Sequence, residues 1–146
     1  MEQASQIDSD DKRPTKAQMN TLLIEDSALI RNVINESLEE CTDILISAYA
    51  ETQFHAIELL KTQAFDMLLV DIELAQGNGY EVIKFTQSAE YPFSPPVIIM
   101  LTNNASSYYR QMAKQLGINF FFDKSMDFDI AIETVTNEAF KFAHQH

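Results

Sequence analysis

The sequence has little of what would stabilise a secreted or membrane-spanning protein. It has one cysteine, Cys41, so it cannot form an internal disulfide, and this favours a reducing compartment. No apolar run approaches the ~20 residues needed to cross a bilayer. Residues 1–20 are polar and do not resemble a signal peptide. These absences predict a soluble, cytoplasmic protein without membrane contact.

Basic residues are also scarce. Ten Lys and Arg residues stand against 22 Asp and Glu residues, which gives a formal net charge of −12. The few basic residues are scattered, whereas a nucleic-acid surface needs a positive patch, so we expect no direct contact with nucleic acid. An acidic surface usually serves solubility, but part of the charge can also attract a cation to a carboxylate cluster.

The chain length of 146 residues fits one domain. Residues 1–19 lack apolar periodicity and contain Pro14 and several aspartates, so we predict a mobile polar leader over 1–19. One folded domain is predicted over 20–146. Because the last predicted helix ends near the end of the chain, we expect no second domain after it.

From residue 21 onward, short apolar runs alternate with amphipathic segments. The runs are apolar throughout rather than alternating, which implies helices on both faces of a parallel sheet. The predicted fold class is therefore a three-layer α/β sandwich. The predicted strands are residues 22–24, 43–49, 67–70, 97–101 and 120–122. The predicted helices carry residues 29–38, 52–61 and 80–85, start after Ser106 or Ser107 and end at Gly117, and cover 128–144.

In the first two predicted helices, apolar residues define the face expected to pack on the sheet. In the first helix this face consists of Leu29, Ile30, Val33, Ile34 and Leu38, and in the second of Phe54, Ile57 and either Leu59 or Leu60.

Polar side chains mark the ends of four of the apolar runs. Glu25 and Asp26 follow the first run, Asp71 the third, Thr102 the fourth and Lys124 the fifth. Because parallel strands place their carboxyl ends at one edge, where open α/β sheets bind ligands, we expect these side chains to converge. Such a set suits a divalent cation and a carboxylate that accepts a phosphoryl group. Oxygen ligands supplemented by water favour Mg²⁺ over zinc.

Each residue taken alone has a simpler interpretation. Asp26 precedes a helix and can complement its dipole. Asp71 can be a loop or cap residue, Thr102 a β-branched residue that closes a strand, and Lys124 a solvated surface lysine. Their equivalent positions on different strands favour a shared site.

Four stretches carry these residues: LLIEDSALIRNVI, FDMLLVDIELAQGNGYEVI, PPVIIMLTNNA and LGINFFFDKS. Together they resemble the receiver domains of bacterial response regulators, the CheY-like phosphoacceptor modules of two-component signalling. The resemblance spans about residues 21–142. It implies a doubly wound, flavodoxin-like fold, with five parallel strands in the order 2-1-3-4-5 flanked by five helices.

The resemblance also implies the roles of the acidic residues. Asp71 would be the phosphoacceptor. Glu25, Asp26 and Asp71 would hold Mg²⁺, together with the backbone carbonyl of Glu73. The protein would not be an enzyme beyond its own phosphorylation from a donor and its own dephosphorylation.

The remaining roles concern signalling. By the same resemblance, Thr102 and Lys124 would contact the phosphoryl group and couple it to an aromatic switch residue, Phe121, although Phe121 also fits plain packing. The surface that changes would be the fourth helix, fifth strand and fifth helix. The implied partners are a sensor histidine kinase or histidine phosphotransfer protein as donor and a downstream protein target. The apolar last helix adds a homodimer as another option.

The sequence departs from the family pattern at five positions. Glu25 replaces the more frequent aspartate, Glu73 adds an acid near the acceptor, and Asn103 replaces a small residue and is expected to narrow the entrance. Ser125 replaces the usual proline, so we predict a trans peptide bond after Lys124. Phe121 lacks the hydroxyl of the common tyrosine.

Two other functions remain as alternatives. A receiver-like interaction domain that is not phosphorylated is supported by Glu73 and Asn103. A metal-dependent phosphohydrolase is suggested by the acid pair Asp71 and Glu73, but the sequence shows no substrate cap or general acid for it.

Overall fold

The computed structural model describes residues 17–145. Most of the predicted leader, residues 1–16, therefore lies outside the described residues. The first strand begins at Met19, earlier than predicted, because Met19 is buried and its backbone N–H donates to the carbonyl of Asp43 at 2.7 Å. Its burial shows that the folded part begins inside the range assigned to the leader.

Within residues 17–145, five strands alternate with five helices. The strands are β1 Met19–Ile24, β2 Ile44–Ala50, β3 Met67–Val70, β4 Val97–Thr102 and β5 Phe120–Asp123. The helices are α1 Ala28–Leu38, α2 Gln53–Thr62, α3 Gly79–Thr86, α4 Ser107–Gln115 and α5 Phe128–Ala143. None of these helices is long and apolar enough to cross a membrane.

The strands form one parallel sheet in the order β2-β1-β3-β4-β5. Ile24 pairs with Val70, and Val70 pairs with Met100, so neighbouring strands are aligned near their carboxyl ends. The predicted doubly wound fold and strand order are confirmed. The strand order reverses between β1 and β3, and open α/β sheets bind ligands at such a switch point.

Two apolar clusters cover the two faces of the sheet. Helices α1 and α5 pack on one face, and α2, α3 and α4 pack on the other. Leu23 belongs to the first cluster, whereas its neighbours Leu22 and Ile24 belong to the second. Consecutive strand residues point to opposite faces, which explains why the central strands are apolar at every position.

Helix starts follow from local hydrogen bonds. Ser27, Thr52, Asn78 and Ser106 each accept a hydrogen bond through the side chain from the backbone N–H three residues later. Of the two predicted caps of α4, Ser106 is therefore the one used. Gly117 follows α4 with φ of +70°, which agrees with its predicted role as a helix-terminating glycine.

Two residues predicted to face inward are exposed. Leu29 of α1 is 71% exposed and Phe54 of α2 is 67% exposed. Leu29 lies five positions before the buried Ile34, about 140° around the helix, so both cannot face the sheet. In α2 the buried row is Ala56 and Leu60, and Phe54 lies about 200° from Ala56. The prediction for these two side chains was wrong.

Candidate functional site

The carboxyl ends of β1, β3, β4 and β5 meet at one edge of the sheet. Nζ of Lys124, just after β5, lies 2.6 Å from Oε1 of Glu25 and 3.0 Å from Oδ2 of Asp71. All three side chains are largely buried. The structure therefore brings Glu25, Asp71 and Lys124 together at the predicted edge, while the roles of the individual residues stay predictions.

The acidic residues form a compact cluster. Glu25, Asp26 and Asp71 each offer a carboxylate oxygen, and these oxygens lie within 4.8 Å of one another. Asp26 is exposed, whereas the other two are buried. An all-oxygen donor set that is open to water on one side is the kind that Mg²⁺ prefers, so the cluster fits this ion.

Burial and charge shift the pKa values in the cluster. Burial raises the pKa of Glu25 above its usual value, although the hydrogen bond from Lys124 acts in the opposite direction. Burial also opposes the charge of Lys124, but its hydrogen bond to Glu25 and the charge of Asp71 outweigh burial and raise its pKa. Lys124 is therefore an ammonium group at neutral pH.

Thr102 ends β4 beside the cluster and is only 1% exposed. Its hydroxyl oxygen accepts a hydrogen bond from the backbone N–H of Asn104 at 3.1 Å. A hydroxyl that accepts one hydrogen bond keeps its own proton to donate. The backbone N–H of Lys124 donates to the carbonyl of Thr102 at 2.9 Å, which links the two predicted phosphoryl-contacting residues.

Glu73 lies in the loop after β3, where its backbone forms an isolated bridge with Asn78. Its exposed side chain accepts a hydrogen bond from Nδ2 of Asn104 at 3.3 Å. Asn103 is the residue expected to narrow the entrance, whereas the next residue, Asn104, makes this contact. Asn104 was missed, because nothing in the sequence shows which of two adjacent asparagines points toward Glu73.

A glycine brings α3 against the acceptor strand. A Cβ added at Gly79 would overlap the backbone carbonyl oxygen of Asp71. The backbone N–H of Gly79 donates to the carbonyl of Ile72 at 2.8 Å. Glycine therefore allows the helix to start in direct contact with the segment that carries Asp71.

Phe121 lies on β5 and is half-buried. The guanidinium carbon of Arg110 in α4 lies 5.0 Å from the centre of its ring. Nε of Arg110 also donates to the carbonyl of Ala105, in the loop that follows Thr102, at 3.3 Å. The peptide bond between Lys124 and Ser125 is trans, as predicted.

A doubly wound sheet with a buried aspartate, neighbouring acids and a lysine at its carboxyl edge defines a class of α/β ligand-binding domain. The family model for the response regulator receiver domain matches residues 21–136. The chain belongs to this family. Receiver domains are phosphoacceptor modules of two-component signalling, and they work with histidine kinases or phosphotransfer proteins and with downstream targets.

Individual relatives are distant in sequence. A protein-glutamate methylesterase/protein-glutamine glutaminase of Nitrosomonas europaea is 25% identical over 120 residues, covering 82% of this chain but 33% of that protein. The chain spans about a third of the length of that relative.

Solved structures show the same fold. The response regulator domain of Thermotoga maritima CheB has a TM-score of 0.70 and 21% identity, covering 86% of this chain and 96% of that one. The Mn²⁺-bound form of response regulator Rcp1 has a TM-score of 0.67 and 19% identity, covering 88% and 96%. Both likenesses extend over nearly the whole described chain.

Proposed function

We propose that the protein is a phosphoacceptor switch in which Asp71 receives a phosphoryl group with the help of Mg²⁺. The observation that carries this proposal is the position of the Asp71 carboxylate, 3.0 Å from the Lys124 ammonium group and beside two further carboxylates. In this proposal a nucleophile, a cation-binding cluster and a positive charge would share one crevice. The phosphorylated protein would then control a partner through a changed surface.

The residues that would hold Mg²⁺ are Glu25, Asp26 and Asp71, together with the backbone carbonyl of Glu73. A bound Mg²⁺ would supply positive charge to the oxygens of the transferred group. The similar fold of Rcp1 in its Mn²⁺-bound form supports a divalent cation here. Glu25 is longer than aspartate by one methylene and can reach the ion directly or through water.

The transfer itself requires little from the protein beyond placement. A carboxylate oxygen of Asp71 forms the bond to phosphorus, while the bond from phosphorus to a histidine nitrogen of the donor breaks. Lys124 would offset the added negative charge, and the Thr102 hydroxyl would donate to a phosphoryl oxygen. The donor would be a sensor histidine kinase or a histidine phosphotransfer protein.

The responding surface would consist of α4, β5 and α5. Along its described residues, helix α4 buries only Ala113. It is therefore held less firmly than α3, which buries five residues. Movement of Thr102 toward the phosphoryl group would pull the following loop and change how Arg110 covers Phe121. The recipient would be a downstream protein or a second copy of the chain.

In this function the protein is a switch rather than an enzyme, because its chemistry ends with gaining and losing its own phosphoryl group. The single cysteine supports a place in the cytoplasm. The alternative of an unphosphorylated interaction domain is not favoured, because Asp71, Lys124 and the acidic cluster are all in place.

Intact-mass measurement after incubation with acetyl phosphate and Mg²⁺ tests the proposal. We expect one phosphoryl adduct on the native chain and none on Asp71→Asn. Asp129→Asn, which makes the same change at an exposed position of α5, is the matched control and should keep the adduct.

Other outcomes separate the alternatives. A native chain without an adduct would favour the interaction domain. An adduct that persists in Asp71→Asn would place the acceptor elsewhere. Steady hydrolysis of added phosphate esters would favour the phosphohydrolase.

A further inference from the structure

Arg31 in α1 is a buried cation with no direct part in the proposed phosphoryl transfer. It is 9% exposed, and a buried charge is costly unless it is paired and hydrogen-bonded. Its Nη1 lies 2.9 Å from Oε2 of Glu51 and donates to the backbone carbonyl of Glu25 at 2.8 Å. Its guanidinium carbon lies 4.1 Å from the centre of the Tyr49 ring.

The carbonyl that Arg31 contacts belongs to the peptide group between Glu25 and Asp26. The backbone N–H of Glu25 donates to the carbonyl of Ala50 at 2.9 Å, and its side chain accepts from the backbone N–H of Ser27 at 3.0 Å. Arg31 adds the contact that fixes the rotation of this peptide group. Two carboxylates of the acidic cluster extend from the residues on either side of it.

Tyr49 and Glu51 also contact the guanidinium group of Arg31. Tyr49 lies near the end of β2 and Glu51 directly follows that strand. A planar guanidinium can donate hydrogen bonds in its plane while its face covers an aromatic ring. Arg31 therefore has a defined orientation although its two anchors are half-exposed.

We propose that Arg31 is a positioning residue for the divalent cation: it orients the Glu25–Asp26 peptide group and thereby the two carboxylates. This inference rests on the proposed function. Mg²⁺ demands nearly ideal octahedral geometry, so small displacements of its ligands weaken binding. Residues behind metal ligands typically change affinity by about 10–100-fold when removed.

Isothermal titration of the protein with Mg²⁺ measures the effect directly. Arg31→Met keeps most of the aliphatic stem and removes the donor, and we expect its Kd for Mg²⁺ to rise about 10-fold. At saturating Mg²⁺ the rate of phosphorylation by acetyl phosphate should return to the native rate, because Asp71 and Lys124 are unchanged. A purely structural role would not raise the Kd for Mg²⁺ while leaving the rate at saturating Mg²⁺ unchanged.

Control variants separate position from charge. Lys61→Met also removes one positive charge, but from an exposed pair with Glu58, and should bind Mg²⁺ like the native chain. Glu51→Ala leaves Arg31 in place without its anchor and should raise the Kd by a smaller factor. Tyr49→Phe keeps the ring face and should leave the Kd unchanged.

The proposal is overturned if the folded Arg31→Met and Glu51→Ala variants bind Mg²⁺ as tightly as the native chain. If Arg31→Met does not fold, Glu51→Ala decides the question alone. A reduced rate that persists at saturating Mg²⁺ also overturns it. A native chain that binds no Mg²⁺ refutes the metal site as well, whereas normal binding without an Asp71 adduct contradicts only the phosphoacceptor proposal.

Discussion

Lys124 lies between Glu25 and Asp71 and supplies the positive charge that lets these two buried carboxylates lie close together. Without a partner, neighbouring buried carboxylates repel each other and lose their hydration. Lys124 therefore has a structural role before any phosphoryl group arrives. Lys124 and a divalent cation would share the neutralisation of the same acids.

Lys124→Met tests this role. Removing one partner of a buried ion pair leaves uncompensated charge, so we expect the free energy of unfolding to fall by about 3 kcal/mol without Mg²⁺. In the variant only the metal can neutralise the charge of Glu25 and Asp71, so Mg²⁺ should stabilise the variant more than the native chain. Urea unfolding followed by circular dichroism, with and without Mg²⁺, measures both effects.

The exposed Lys61→Met is the control, and it should change the unfolding free energy by less than about 1 kcal/mol. If Lys124→Met were as stable as the native chain and gained no more stability from Mg²⁺ than the native chain does, the lysine would not be the counter-ion of this cluster.

At the scale of elements, the contact between the start of α3 and the end of β3 decides where Asp71 lies. Gly79→Ala would push a methyl group against the carbonyl of Asp71, and we expect a loss of about 1–3 kcal/mol. The same substitution should weaken Mg²⁺ binding, because the strain falls on the segment that holds the acid.

Gly117→Ala is a useful comparison for this prediction. Its added Cβ would meet open space, but its φ of +70° makes alanine unfavourable by about 1–2 kcal/mol. It should therefore lower stability and leave the affinity for Mg²⁺ unchanged. Equal effects of both variants on Mg²⁺ binding would show that the contact at Gly79 has no special influence on the site.

The loop between β3 and α3 is also joined to the start of α2. Oε1 of Gln53 accepts from the backbone N–H of Asn78 at 3.1 Å, and Oε1 of Gln76 accepts from the backbone N–H of Phe54 at 3.0 Å. Gln53→Ala should speed hydrogen exchange of the Asn78 amide by about fivefold, the equivalent of one hydrogen bond of about 1 kcal/mol. Gln76→Ala should do the same at Phe54.

Each of these two variants serves as the control for the other, and amide exchange measured by NMR distinguishes them. Faster exchange at both amides in either variant would mean that the loop opens as a unit. Protection that is unchanged in both would show that these side chains do not hold the loop.

The sequence predicted those features that depend on local pattern. The ends of the strands that precede Glu25 and Asp71 were predicted correctly, because the apolar runs are short and uniform. Leu29 and Phe54 were assigned to the wrong side, since neighbouring apolar residues leave the rotation of a helix undetermined. The contact of Arg31 with the Glu25 carbonyl was not predictable, because it depends on how far a long side chain reaches across a turn.

At the scale of the whole molecule, two helices on one face, α3 and α4, are linked through a row of phenol rings. The Tyr80 hydroxyl of α3 donates to the carbonyl of Tyr109 in α4, and their rings stack with centres 5.8 Å apart. Tyr108 lies beside Tyr109 at an edge-to-face angle. This contact supports α4, the helix with few buried residues, and connects its stability to the protonation of Tyr80.

The pKa of Tyr80 is raised to about 12 by burial and by the neighbouring Tyr109 and Tyr108. The phenol of an unfolded chain ionises near pH ~10. Between these values the unfolded chain has released the proton that the folded chain retains. The contribution of Tyr80 to stability is therefore complete below pH ~10 and is lost as the pH rises to about 12.

Tyr80→Phe removes this pH dependence. We expect the variant to be less stable by about 1 kcal/mol near neutral pH, because it lacks the hydrogen bond to α4. Its unfolding free energy should then fall less steeply than that of the native chain as the pH is raised from ~10 to ~12.

Burial also raises the pKa of Tyr91, so part of the pH dependence remains in the variant. Urea unfolding across this pH range measures the difference, and Tyr49→Phe, which removes an exposed phenol of β2, should keep the native slope. Parallel curves for Tyr80→Phe and the native chain would show that ionisation of Tyr80 does not limit stability in alkali.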